Sequence, residues 1–222
     1  MEKIRLENLV EKIVENSCGK YKFITISGNG AAGKTFLSKA IVKEIESNGE
    51  NGNFFSMDDF MVDMQLRNMS VTEWECNGEL FKGRYTSCIR GSYFLRSVES
   101  IMHTLRLGMD CYMKPEKEDM KLLKGNAKVT VIEGIASVFL ENNKDILKVF
   151  VECDMDVELD RRLQRDKIIY TAEKIRNDFE ERNSQFIFNI MPHKEEHDLI
   201  LKSNSDFTYS IEKDIKKICL EG

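Results

Sequence analysis

Gly28-Asn29-Gly30-Ala31-Ala32-Gly33-Lys34-Thr35 fills every fixed position of the phosphate-binding pattern G-x-x-x-x-G-K-[ST]. A polyphosphate needs several backbone N–H groups converging on it with no side chains in the way, which the glycines permit, and Lys34 adds a point charge. Upstream, Tyr21-Lys22-Phe23-Ile24-Thr25-Ile26-Ser27 reads as a buried strand; downstream, Leu37, Ala40, Ile41 and Ile45 recur at helical spacing over residues 34–47. Strand, loop and helix in this order aim the loop amides and the positive helix end at one anion, so Gly28 through Thr35, with Phe36, form the expected nucleotide-phosphate site.

Two more strands carry acids where such a loop needs them. Asn53-Phe54-Phe55-Ser56 reads as the second strand, and Asp58 and Asp59 follow it at the end where open α/β sheets bind ligands. One of them is a candidate to take a proton from an acceptor hydroxyl or to support a magnesium shell; the alternative is a plain turn with an Asp cap. Lys128-Val129-Thr130-Val131-Ile132-Glu133-Gly134 reads as a central strand, and an acid at its end aligns the Mg2+ that Thr35 also ligates. Residues 147–152 give a further strand, followed by a helix over 156–167 that carries Arg161, Arg162 and Arg165 on or beside one face. Guanidinium groups there would offset charge on a transferring phosphoryl group, although a mixed-charge helix is commonly just solvated.

The remaining pattern places helices over residues 1–16, 93–107 and 171–189, strands at 198–201 and 207–211, and a short basic helix at the end. Ser70-Val71-Thr72-Glu73 matches a capping box and predicts a helix carrying Trp74, whose bulk suits packing better than ligand stacking. Arg84 and Arg90 are candidate anion binders, Tyr85 and Tyr93 candidate stacking rings, and residues 110–123, with Tyr112, read as a loop or hairpin over the site.

A chain of 222 residues with 41% hydrophobic content suits one α/β domain with a small inserted lobe. Its net charge of −5 argues against nucleic acid held through the phosphate backbone. Six scattered cysteines without a C-x-x-C pair suit a reducing, cytoplasmic setting and read as small buried hydrophobes. No apolar run reaches membrane-spanning length, and His193 with His197 lacks a third ligand for zinc.

Taken in order, residues 28–35, Ser56-Met57-Asp58-Asp59-Phe60, Val131-Ile132-Glu133-Gly134-Ile135 and Arg161-Arg162-Leu163-Gln164-Arg165-Asp166 resemble the uridine kinase and phosphoribulokinase group of P-loop kinases. The resemblance covers about residues 22–60 and 129–201. It implies a P-loop NTPase fold, a doubly wound, mostly parallel α/β sheet with helices on both faces, with an acceptor-side insertion near 60–125 and a lid near 156–190. It further implies Asp58 as base, Lys34 on the β- and γ-phosphates of ATP, Thr35 and Glu133 on Mg2+, and Arg161, Arg162 and Arg165 closing as the lid. Asp59, Arg84, Tyr85 and Tyr112 are the expected acceptor contacts. The middle departs from the group: where uridine kinases place an acid for the ribose hydroxyls, this chain reads Cys88-Ile89-Arg90-Gly91-Ser92-Tyr93-Phe94.

The expected activity is transfer of the γ-phosphoryl group of ATP to a small alcohol, first a nucleoside, then a pantothenate- or sugar-phosphate-like acceptor. A P-loop ATPase or switch acting on a protein partner is the rival, and its guanine-specific form would need an Asn-Lys-x-Asp element that the sequence lacks. The oligomeric state stays open, a homo-oligomer included.

Overall fold

In a computed structural model, which describes residues 3–76, 78–115 and 119–215, β2 (Phe23–Gly28) is buried at every residue. A strand is buried throughout only in the middle of a sheet covered on both faces. Around it the chain runs β1 (Lys3–Ile4), α1 (Leu6–Ser17), β2, α2 (Lys34–Ser47), β3 (Gly52–Ser56), α3 (Met64–Met69), β4 (Val71–Cys76) and β5 (Glu79–Arg84). It continues through α4 (Leu95–Arg106), β6 (Cys111–Met113), β7 (Lys121–Leu123), β8 (Val129–Glu133), β9 (Ile146–Glu152), α5 (Met155–Asp166), α6 (Ala172–Asn189), β10 (Leu199–Ser203) and β11 (Tyr209–Lys213).

The main sheet has the order β1-β11-β10-β9-β2-β8-β3. Strands β3, β8, β2, β9 and β10 are parallel to one another, while β11 and β1 are added at the β10 edge by antiparallel pairing. Successive residues of each strand face opposite layers. Ile24, Ile26, Val129, Val131, Val149 and Val151 join α1 and α2 in one core, and Phe23, Phe55, Ile132 and Phe150 join α4 and α6 in the cores of the other face. The result is the doubly wound α/β sheet expected. All five parallel strands end at the same edge, and β8 lies between β2 and β3, so the loop after β2 and the turn after β3 flank the end of β8.

Three segments differ from expectation. Residues 71–76 form β4, paired antiparallel with β5 in the register Trp74↔Phe81, and not a helix. The alternation Val71-Thr72-Glu73-Trp74-Glu75-Cys76 has the strand period, and Asn-Gly at 77–78 is the strongest short hairpin signal, so the pattern outweighs the capping box. Trp74 is buried there, stacks on Phe81 at 5.9 Å and donates to Ser184 Oγ on α6 at 3.2 Å. The first helix starts at Leu6, because Lys3 and Ile4 pair with β11. The hairpin expected at 110–123 forms as β6–β7 but does not line the cleft: it packs through Met113 and Leu123 against α4 and β3. The basic helix expected at the end lies outside the described residues, as does Cys219. Of the other cysteines, Cys88 and Cys153 are buried, Cys18, Cys76 and Cys111 half-buried, and all five are free thiols. No helix among the described residues is long and apolar enough to cross a membrane.

Candidate active site

The loop after β2 is shaped by what its glycines let approach. Gly28 takes φ +124°, and a Cβ on it would stand 1.9 Å from the Val151 carbonyl oxygen of β9. That oxygen accepts from Asn29 N at 3.1 Å, which ties the start of the loop to the sheet. Gly33, at φ +88°, turns the chain into α2, so the first amides of that helix face the loop. A Cβ on Gly30 would lie 1.7 Å from Arg162 Nη2 and 2.7 Å from Arg182 Nη1: two guanidinium groups lie directly over the loop. Lys34 Nζ donates to the Gly28 carbonyl at 3.1 Å and to that of Asn29. Burial pushes the Lys34 ammonium below its ordinary pKa, while Glu133 and Asp58 pull it back up.

Register then assembles an oxygen cluster. Ser56 of β3 and Ile26 of β2 both pair with Glu133 of β8. Glu133 Oε1 accepts from Thr35 Oγ1 at 3.0 Å and from Ser56 Oγ at 3.1 Å. Burial raises the Glu133 pKa, against the opposing charge of Lys34. Two hydroxyls and a carboxylate are the hard donor set that suits Mg2+, with waters and phosphate oxygens completing its shell. Sequence reading did not mark Ser56 as a metal-side residue; its signal is its place as the last residue of β3, which lies next to β8. The same hydroxyl accepts from Asp58 N at 3.2 Å and caps the single 3₁₀ turn Met57–Phe60. Asp58 is exposed and lines the cleft above the loop; Asp59, half-buried, is not among the residues lining it.

The arginines divide their work. Arg161 donates to the Ala31 carbonyl and Ser203 Oγ, each at 3.1 Å, and to the Asn204 carbonyl at 2.6 Å. It braces the loop against the end of β10. Arg162 forks onto Glu158 Oε1 at 2.8 and 2.7 Å, and the second carboxylate oxygen accepts from Asn29 Nδ2 at 3.0 Å. Arg182 of α6 lies 3.8 Å from Glu158 and donates to Ser87 Oγ at 2.9 Å. Burial raises the Glu158 pKa, and Arg182 with Asn29 works against it. Arg165 is more exposed and forks onto Asp166 at 2.6 and 2.9 Å. Arg182 escapes sequence reading because Ser87 and Glu158 come from distant segments; Glu158 has Arg162 one turn away on α5, but Asn29 and Arg182 reach it from elsewhere in the chain. The pattern Asp178, Glu181, Arg182, Gln185 does mark one polar face of α6.

These groups line a cleft of about 850 Å³, to which the loop contributes Gly30, Ala31, Gly33, Lys34, Thr35 and Phe36, and the far wall Arg67, Arg84, Tyr85 and Tyr170. Gly28, Asn29 and Ala32, also expected at the nucleotide, are buried and do not line the cleft. Arg84, expected as an acceptor anion site, is occupied by acids of α6: Asp178 at 2.6 Å and Glu181 at 3.0 Å. The structure gives it the task of fastening the β4–β5 hairpin to α6. Tyr112 lies exposed on β6 and is not brought into the cleft. Arg90 reaches the Phe139 carbonyl at 3.1 Å, Tyr93 is buried, and His193 and His197 bond to Glu196 and to backbone carbonyls.

A doubly wound sheet with this loop after β2 and an acid at the end of β8 is a P-loop kinase fold. The chain belongs to the phosphoribulokinase / uridine kinase family, whose model matches residues 96–210, more than half of it. That match starts beyond the phosphate loop, so the loop itself is evidence independent of it, while Glu133 and the α5 arginines lie within it. Among solved structures, D-glycerate 3-kinase from Cryptococcus neoformans is similar with a TM-score of 0.64 at 12% identity, over 93% of this chain and 96% of that one. The YGR205w protein is similar at 0.58 and 14%, over 93% and 94%. A "Possible Uridine Kinase" from Bacillus stearothermophilus gives 0.51 and 13%, over 88% and 96%. At these identities the likeness is one of fold. With the family, it makes this chain a small-molecule P-loop kinase.

Proposed function

We propose that the chain transfers the γ-phosphoryl group of ATP to a hydroxyl of a small alcohol held between the phosphate loop and the 60–125 segment, an acceptor-side insertion. The observation that carries this reading is the convergence of Thr35 and Ser56 on buried Glu133, with Asp58 opening into the same cleft. Asp58 accepts the acceptor's proton as the hydroxyl oxygen attacks phosphorus in line. Lys34 exchanges its two loop carbonyls for the β- and γ-phosphate oxygens. Arg162 and Arg182, already over the loop, neutralise charge on the transferring group, with Arg165 closing from the lid and Arg161 bracing the loop. Thr35 and Glu133, with Ser56 beside them, would hold Mg2+, which would supply positive charge against that of the phosphates. Positioning and neutralisation supply most of the acceleration in such reactions.

Within small alcohols, nucleosides such as uridine or cytidine, hydroxy acids such as the glycerate of the structural neighbour's name, pantothenate and sugar phosphates are the acceptors to compare. The measurement is ADP formation from ATP and Mg2+ with each. ADP release that rises at least tenfold on adding one of them is the expected result. Steady hydrolysis that no alcohol stimulates and that a protein partner accelerates would move the chain to the ATPase class.

A further inference from the structure

We infer that Arg67 selects the acceptor, by pairing with a carboxylate carried on the same molecule as the hydroxyl to be phosphorylated. The inference rests on the kinase reading above and narrows its substrate class to hydroxy acids.

Arg67 sits in the last turn of α3 and lines the cleft wall facing the phosphate loop. It is half-buried, and its Nε donates to the Val62 carbonyl at 2.8 Å. Among the described residues neither of its Nη groups has a hydrogen-bond partner and no carboxylate comes within ion-pair distance. Every other cleft arginine is spoken for: Arg84 by Asp178 and Glu181, Arg162 and Arg182 by Glu158, Arg165 by Asp166, Arg161 by backbone and Ser203. Lys174 pairs with Asp178. Asp178 and Glu181 answer Arg84 and Lys174, and Asp58, which lines the same cleft, is the proposed base, so Arg67 is the acceptor-wall cation without an ion-pair partner among the described residues.

Its position relative to the base is fixed by backbone. The Asp58 turn leads into Met61, which bridges Tyr93, and Val62 N donates to the Ser92 carbonyl at 2.8 Å. Arg67 is tied to Val62 by its own Nε and to Tyr85 N by its carbonyl at 3.3 Å. A held Nε with two open Nη groups is half of a fork, and a fork matches two coplanar oxygens. One uncompensated charge and one fork suit a monoanion; a phosphate ester, near two negative charges, would ask for a second free cation that this wall lacks. A neutral nucleoside would leave the guanidinium half-buried and unanswered.

The test compares wild type with Arg67→Gln and Arg67→Lys. ATP-dependent turnover is measured with D-glycerate, pantothenate, fructose 6-phosphate and uridine, and with the carboxamide of whichever acid works. A carboxylate–guanidinium pair predicts that a hydroxy acid is preferred, that Arg67→Gln raises its KM by about 30-fold with kcat and the KM for ATP little changed, and that lysine restores part of the loss. The amide should lose about as much on wild type, and combining it with Arg67→Gln should cost little more. Calorimetric binding of the two acids to wild type and Arg67→Gln, with a non-hydrolysable ATP analogue and Mg2+, answers without turnover. Preference for uridine or the sugar phosphate, equal KM values for wild type and Arg67→Gln, or no binding of either acid would each overturn the inference. The first two would leave the kinase reading standing, whereas hydrolysis that no acceptor stimulates would remove the kinase reading itself.

Discussion

Gly28→Ala tests the steric basis of the phosphate loop. Its Cβ would stand 1.9 Å from the Val151 carbonyl oxygen and 2.6 Å from the carbonyl carbon, where real Cβ atoms stay beyond 3.0 Å, and both atoms are backbone. Relief requires β2 and β9 to separate by about 1 Å at the last of their six paired positions, Gly28↔Val151. The Asn29 N bond to the same oxygen goes with it. Overpacking, a lost buried hydrogen bond and an unfavourable φ together cost about 4 kcal/mol. Gly49→Ala is the control: its φ is +80° but nothing lies within 4 Å, so only the backbone cost of about 1 kcal/mol applies. In calorimetric melts Gly28→Ala should lower Tm by roughly 8–16 °C and Gly49→Ala by roughly 2–4 °C. Gly28→Ala should also lose ATP binding at temperatures where it remains folded, since the carbonyl that parks Lys34 moves. Equal melting shifts for the two variants would refute the steric argument.

Asp58→Asn keeps the backbone N–H that Ser56 caps, so its Tm should match wild type while kcat falls about 10²- to 10⁴-fold in a coupled ADP assay; full activity would remove Asp58 as base. Glu133→Gln retains the shape of the Thr35–Ser56 cluster without its charge, and the Mg2+ concentration for half-maximal activity should rise at least tenfold; an unchanged requirement would move the metal elsewhere. His197 is buried near Lys148 and its pKa is pushed from 6.5 down to about 4. Below pH 6.5 the unfolded chain takes up a proton that the folded one refuses, so stability falls as pH drops from about 6.5 to about 4, by roughly 3 kcal/mol in all. Urea titrations across that range should show the slope in wild type and lose most of it in His197→Gln.

Features with local causes were legible in the sequence. The loop, the strands leading to Gly28, Ser56 and Glu133, and the helix carrying Arg161, Arg162 and Arg165 each show in one short window, because apolar period and motif spacing are properties of that window. Residues 71–76 misled because a capping-box match and a strand alternation coincide there, and only pairing with β5 decides between them. Arg84 looked like a free anion binder because Asp178 and Glu181, which neutralise it, stand more than ninety positions away. Arg182 stayed hidden for the same reason, its meaning depending on Ser87 and Glu158. Tyr112 was assigned to the cleft by order along the chain, and the packing of β6 on the α4 side takes it elsewhere.

The Glu158 carboxylate, held by Asn29 beneath Arg162 and Arg182, gives those cations an anionic companion before any nucleotide arrives. On the proposed reading, loading ATP would then be an exchange of counter-ions instead of a first neutralisation, with these two guanidinium groups already balanced in the resting protein. Nucleotide affinity should accordingly depend less on salt in wild type than in Glu158→Gln, where free chloride or phosphate would compete for the vacated place.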